Sequence, residues 1–501
     1  MIVNRRKFLS GAGVAALVVG FESATGAWLS SAQASQAPTW SPIPKLDGTL
    51  SFALADRQAD SEDLGRIVEM LPAAVLMPGS VDDIQVMIQF CLRHGIPVST
   101  RGQGHTTNGQ GLTSGLIIQN GSLNTIHSIG PDGAVVDAGV LWRDLVNAAV
   151  PMGLTPPLFT TYTGLSIAGT LSVGGFPAMN ELGLQIEHVT ELQVVTGTGE
   201  LVTCSAQENR GLFEAMLGGL GQCGVITRAT IDMVPAVANA QVCQLNYPIS
   251  ATTTMFSDLW TLLDRGQFTG VYTLIFVPPG LTELIYQINA VSLYDPAQPP
   301  DTAALLSGLS QPAAAATVTQ TSYLDWVLRY DPIIAEWRAE LDWNDLIKPW
   351  YDAILTGSTI ESYVSTVMPT LTPADFGPPT GIGFLFPQKR DKLTRRFFRL
   401  PPDDGSGWVV LFDILTSSAV PAPDPAFTQA MVARNDSLFY QARDLCGATR
   451  YPIGTIDLTQ EDWRIQYGES WAEFSQLKHR YDPGLILARG PGIFTPGPGI
   501  S

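Results

Sequence analysis

One turn constrains this chain most: Arg101-Gly102-Gln103-Gly104-His105, set directly after a strand. The residues ahead of it read as a strand–helix–strand unit. Pro78 ends a short apolar strand through Leu76-Met77. Ser80 is placed to cap a helix with Asp83 three residues on, and Ile84, Met87, Ile88 and Cys91 recur at helical spacing until Gly95 stops it. Ile96-Pro97-Val98-Ser99-Thr100 then delivers the turn. Closely spaced glycines let backbone N–H groups converge on an anion such as a pyrophosphate. The dinucleotide fingerprint G-x-G-x-x-G is not met, because Thr107 stands where the third glycine is required. Two more glycine-rich stretches, 164–175 and 218–221, add what a large cofactor needs, several loops on one domain face. His105 reads either as a group of that site or as a turn residue capping local backbone.

Short strands at Leu116-Ile117-Ile118, Ala134-Val135-Val136 and Val225-Ile226-Thr227, one at 192–196 before Gly197-Thr198-Gly199, and a helix near Phe213 make residues 40–240 an α+β unit. Composition shifts after Pro235. The region 241–440 holds long mixed segments, an Ala/Pro/Gln-rich connection at 296–319 that reads as a surface loop, and a Pro-rich loop at 370–379. A helix over 459–480 and a Pro/Gly-rich tail follow. With 28 Lys+Arg against 46 Asp+Glu, a net charge of −18, the chain lacks the basic surface a nucleic-acid partner requires. Arg5-Arg6 ahead of the apolar run 11–21, then Ala32-Gln33-Ala34, read as a twin-arginine export signal over residues 1–34. That run is too short and too rich in Gly and Ala for a membrane span of about 20 residues, so none is expected in the mature protein. An uncleaved N-terminal anchor is the alternative. Cys91, Cys204, Cys223, Cys243 and Cys446 show no paired spacing and are expected to be free thiols.

The first turn, together with Gly169-Thr170-Leu171-Ser172, the run Val194-Val195-Thr196-Gly197-Thr198-Gly199-Glu200 and the run from Leu217 through Gly218-Gly219-Leu220-Gly221-Gln222-Cys223-Gly224 to Arg228, resembles the vanillyl-alcohol-oxidase-type (PCMH-type) FAD-binding fold. Within it the chain is most similar to the cytokinin dehydrogenase family. Tyr323-Leu324-Asp325-Trp326, Pro349-Trp350 and Tyr481-Asp482-Pro483-Gly484-Leu485-Ile486-Leu487 extend the likeness over nearly all of the mature chain. The resemblance implies an α+β protein of two domains: an FAD-binding domain over 40–240 to which 441–501 returns, and an α+β substrate cap over 241–440. It makes His105 the residue bonded to the flavin 8α-methyl group. Gly102, Gln103, Gly104 and Thr106 would wrap the pyrophosphate with Gln110 alongside. Ser166, Ser172, Val225 and Ile226 match further flavin contacts, and Tyr451 falls where a tyrosine approaches the flavin. Tyr162 occupies the position of a second, cysteinyl link in some relatives, so a single link is expected.

The chain departs from that family where the substrate binds. Thr161 stands at the aspartate that accepts the substrate's amine proton, and an alcohol has no accessible basic form at ordinary pH. Tyr272 falls near a second family acid, and Ala488 and Pro491 replace polar residues that contact FAD. Tyr162 or Tyr272 could act as the missing base, or could be packed aromatics with bonded hydroxyls. Glu181 is a further acid, expected at the surface. Trp326, Trp343 and Trp350 read as a substrate wall or as core. The basic cluster Lys389-Arg390-Asp391-Lys392-Leu393-Thr394-Arg395-Arg396 reads as a solvated face or an anchor for an acidic substrate. The expected function is oxidation of a small amine by hydride transfer to FAD, with oxygen or another acceptor taking the electrons. An alcohol or sugar oxidase, or a flavin-binding protein without catalysis, are the alternatives.

Overall fold

A computed structural model describes residues 18–494. The twin-arginine motif lies outside these residues. The remainder of the expected signal forms a hairpin, Val18–Glu22 with Ala27–Ser30, followed by a four-residue helix; Phe21 is buried against Phe90 of the first long helix.

That helix is Val81–His94, between the strands Ala74–Met77 and Val98–Arg101. Ser80 accepts from the Asp83 amide and Gly95 closes the other end at φ 66°, a left-handed conformation glycine adopts without a Cβ clash. Asp83 itself does not complete a capping box. Its carboxylate accepts from the amides of Asp47, Gly48 and Gly79, tying the preceding loop to the helix. The strands join Leu116–Gln119 in a mostly parallel four-stranded sheet. A second, antiparallel five-stranded sheet places Val189–Thr196 and Gly224–Ile231 at its centre. The chain's end returns to the first sheet, where Leu487 bridges Val98. A buried ion pair, Lys478 to Asp482 at 2.8 Å, fixes this return, with Asp482 also accepting from the amides of Ile486 and Leu487.

The cap is an antiparallel sheet of eight strands running from Thr317–Ser322 at one edge to Thr449–Arg450 at the other. Its side chains alternate between two faces, as a pleated strand dictates. Tyr351, Ala353, Phe412 and Ile414 face helices Thr252–Arg265, Ile360–Val367 and Pro425–Cys446, while Ile354, Phe384, Phe386 and Leu411 face the half of the fold that holds the two smaller sheets. The 296–319 segment is therefore not loop throughout, because its last residues enter the edge strand opposite Asn239–Pro248. The helix expected over 459–480 is two, Gln460–Tyr467 and Trp471–Tyr481, broken where Gly468 takes φ 50°. Among the described residues no helix is long and apolar enough to cross a membrane. All five cysteines are unpaired, four of them buried.

Candidate active site

The three glycine stretches and the inner face of the cap sheet enclose one cavity of about 300 Å³. The first turn is held from behind by Asp63, whose carboxylate accepts from the Thr106 hydroxyl at 2.9 Å and from the amides of Gly109 at 2.7 Å and Gly65 at 3.1 Å. Burial raises its pKa to about 6 against those donors. Arg101 pairs with Asp60 at 3.1 Å, and Gln119 donates to the same carboxylate. From the far end of the sequence, Ile453 accepts from the Thr107 amide and hydroxyl, and Gln110 donates to the carbonyls of Pro452 and Gly454. Gly102 has no room for a side chain, since a Cβ would overlap the Ser166 hydroxyl across the cavity floor. Here glycine serves close approach rather than torsional freedom.

His105 stands inside an aromatic box. Its ring centroid lies 5.5 Å from Tyr162, 5.4 Å from Trp350 and 6.4 Å from Trp343. Burial, reinforced by the cations Arg338 and Lys348, lowers its pKa to about 3. The imidazole is therefore neutral at ordinary pH, and one ring nitrogen keeps a free lone pair. Arg338 lies 5.5 Å over the Trp343 ring and donates to the Tyr162 hydroxyl oxygen at 3.3 Å. Lys348 is fully buried, donates to the carbonyls of Trp343 and Leu346, and is pushed down to about 7 by desolvation.

Gly102, Gln103, Gly104, His105, Thr106, Gln110, Ser166, Ser172, Ile226 and Tyr451 all line the cavity, as do Thr161 and Tyr162. Two residues expected there do not. Val225 points the other way along its strand, into the core beneath the first sheet, since successive strand residues face opposite sides. Tyr272 is buried one residue deep behind the wall, its ring 5.7 Å from Phe386 and its hydroxyl meeting that of Tyr330, which does reach the cavity. Trp343 and Trp350 line the cavity, whereas Trp326 packs in the main core under Arg329 and Trp337 takes a place in the wall instead. Tyr451 packs edge-on against Phe176, and its hydroxyl accepts from the backbone at Gly175 and Phe176.

Glu181 is half-buried and pairs with Lys389 at 2.8 Å. The basic cluster is in part the solvated face expected, with Asp391, Lys392, Thr394 and Arg396 exposed, and none of its residues lines the cavity. Lys389, Arg390, Arg395 and Arg396 each meet an acid, and the largely buried Arg395 bridges Glu187 and Glu214 while donating to the Ile186 carbonyl. Lys389, Arg395 and Arg396 thereby fasten the cap to the other half of the fold.

Sequence reasoning missed a pair of acids. Asp413 on strand Trp408–Leu415 lines the cavity, and Asp352 on strand Tyr351–Thr356 is its direct partner across the ladder. Each interrupts an apolar strand, and that interruption was the available signal.

The cavity fits a long polar ligand. Arg101 Nη1 and Asn120 Oδ1, both in residues of its wall, are buried without any partner, which is costly unless a ligand meets them. Gly102, Gly169, Gly221 and Gly224 keep side chains out of the floor.

The family described as an FAD binding domain matches residues 72–205, and the one described as cytokinin dehydrogenase 1, FAD and cytokinin binding, matches residues 274–494. An uncharacterized oxidoreductase of the fasciation locus of Rhodococcoides fascians is 32% identical over 430 residues, 85% of this chain and 95% of that protein. Cytokinin dehydrogenase 9 of Oryza sativa subsp. japonica is 30% identical over 90% of this chain and 91% of its own length. Cytokinin dehydrogenase 2 of Arabidopsis thaliana is 28% identical over 90% and 95%. FAD is therefore the cofactor of this chain. The likeness spans both halves of the fold and nearly the full length of these relatives, so the chain belongs to the cytokinin dehydrogenase family of FAD-dependent oxidoreductases.

Proposed function

We propose that this oxidoreductase removes hydride from a small allylic or aromatic amine, using FAD bonded through His105, after export by the twin-arginine route. The observation that carries the reading is His105 itself: a neutral imidazole on the cofactor turn, enclosed by Tyr162, Trp343 and Trp350. A charged imidazolium could not form a bond through nitrogen; a desolvated neutral one can. Bound FAD supplies a two-electron acceptor, and oxygen or another oxidant restores it.

The chain's own residues bind and align. The cap wall presents Phe384, Phe386, Leu411 and the tryptophans, an apolar surface that favours a flat or unsaturated substrate over a sugar. That wall excludes water from the reacting carbon, and hydride transfer depends chiefly on this alignment. The relatives named cytokinin dehydrogenases support an amine as the donor. Thr161 still faces the cavity but offers only a hydroxyl, so it cannot take the proton.

Mixing the holoprotein anaerobically with isopentenyladenine, benzylamine and allylamine, and separately with benzyl alcohol, allyl alcohol and glucose, decides the donor class. Bleaching of the flavin by at least one amine and by no alcohol is the expected result. Bleaching by alcohols alone would replace the reading with alcohol or sugar oxidation, and none at all would make the chain a flavin-binding protein without catalysis.

For export, the support is Arg5-Arg6 ahead of the apolar run. Changing both arginines to lysine is expected to hold the full chain in the cytoplasm on fractionation. An unchanged distribution would remove the twin-arginine route.

A further inference from the structure

We propose that Asp413, paired with Asp352, is the proton acceptor for the substrate's N–H group. The inference rests on the amine reading above. Asp352 and Asp413 sit directly opposite one another on adjacent antiparallel strands, both on the face turned toward the FAD-binding half. Directly opposed residues hold their Cβ atoms about 5 Å apart, so the two carboxyl groups meet. Asp352 is fully buried, and Asp413 is 5% exposed, through the cavity wall. Neither oxygen of Asp352, nor Oδ1 of Asp413, has a donor among the described residues.

Two acceptor-only groups cannot remain in buried contact with both charged. They hold a proton between them, and the pair titrates as a unit. Burial raises both, Asp352 to about 7 and Asp413 well above the usual carboxylate range. The position is fixed by crowding, because a Cβ on Gly454 would overlap Asp352 Oδ2. Arg450, on the neighbouring strand and opposite Ala353, is the one cation acting on the pair, with its Nε unpartnered and Nη2 donating to the Gly454 carbonyl. Tyr351 on the same strand and Tyr451 beside it are the remaining titratable groups, both held protonated by burial. Asp436 and Asp457 act on Arg450 from behind.

With one proton on the pair, Asp413 can take a second from the cavity. The substrate N–H bond breaks with its proton passing to Asp413, and its electron pair becomes the second bond of C=N. The adjacent C–H bond breaks with its electron pair, leaving as hydride to the bound flavin. The amine is oxidised to an imine by two electrons, and the cofactor accepts both. This places the base on the cap sheet, whereas the loop carrying Thr161 supplies none.

The experiment is stopped-flow reduction of the holoprotein by whichever amine of the panel bleaches it fastest, from pH 5 to 9. The wild-type rate constant should rise with pH to a plateau as the pair loses its first proton. Asp413→Asn should lower the plateau by about 100-fold and abolish the rise, with the flavin absorbance spectrum unchanged. Asp352→Asn removes the like charge that holds Asp413 up. It should move the rise to lower pH while keeping the plateau within about tenfold, a response expected of a positioning residue. Lys348 titrates in the same window from the His105 box, but its ionisation would not move in Asp352→Asn. Glu181→Gln, at a surface ion pair, is the control outside the cavity. An Asp413→Asn protein that keeps both rate and pH profile overturns the proposal alone. A rise unmoved in Asp352→Asn overturns the pairing. A wild-type flavin that no amine bleaches overturns the amine reading itself.

Discussion

Protein carrying His105→Ala is expected to release all of its flavin on acid precipitation, leaving a colourless pellet where the wild-type pellet stays yellow. The expectation follows from the ring's environment. Burial among Tyr162, Trp343 and Trp350, with Arg338 and Lys348 nearby, holds the imidazole neutral far below ordinary pH. It is also the only imidazole in the cavity wall among the described residues. The cofactor turn should survive the change, because its supports are Asp63, Arg101 and the carbonyl of Ile453 rather than His105. The variant should therefore bind FAD reversibly, and its apparent melting temperature should rise with added FAD, as mass action requires of a ligand that binds only the folded state. The wild type should show no such dependence. Turnover should fall at least tenfold, about 1.4 kcal/mol of barrier, through lost alignment. A yellow acid pellet from His105→Ala would move the covalent link elsewhere or remove it.

What could be read in advance was local. The helix Val81–His94 announced both ends through Ser80 and Gly95, and the turn at Gly102 announced itself because glycine is forced there by Ser166, a contact that leaves a compositional trace. Twelve of the named site residues reach the cavity because loops at the ends of strands converge by topology. Val225 failed for a reason of parity: in a strand only alternate residues face one side, and Ile226 has that side. Tyr272 failed because Tyr330, from a helix 58 residues later, covers it. The Asp352–Asp413 pair was hidden by distance along the chain. Each acid alone shows only as an interruption of an apolar strand, and only the register of two strands shows them meeting. The ion pairs of the basic cluster were hidden in the same way, since its acids come from 181–214, 403 and 473.

The same acid pair gives the largest expected effect on stability. Asp352 ionises near an ordinary 3.8 in the unfolded chain and at about 7 in the fold, and Asp413 is raised in the same sense. Between those values the folded state binds more protons than the unfolded one, so stability falls as pH rises. The contribution is fully retained below about pH 4 and lost through pH 7 and above. Asp352→Asn keeps the shape of a protonated carboxyl and removes its titration. The variant should match the wild type near pH 3 and exceed it at pH 8 by up to about 4 kcal/mol, the equivalent of roughly three pKa units. Asp63, raised to about 6, tilts both proteins alike and cancels in the difference. Urea unfolding of the holoproteins at the two pH values is the measurement. Equal stabilities at pH 8 would mean that Arg450 already neutralises the pair, and that the two carboxylates are ionised together in the folded protein.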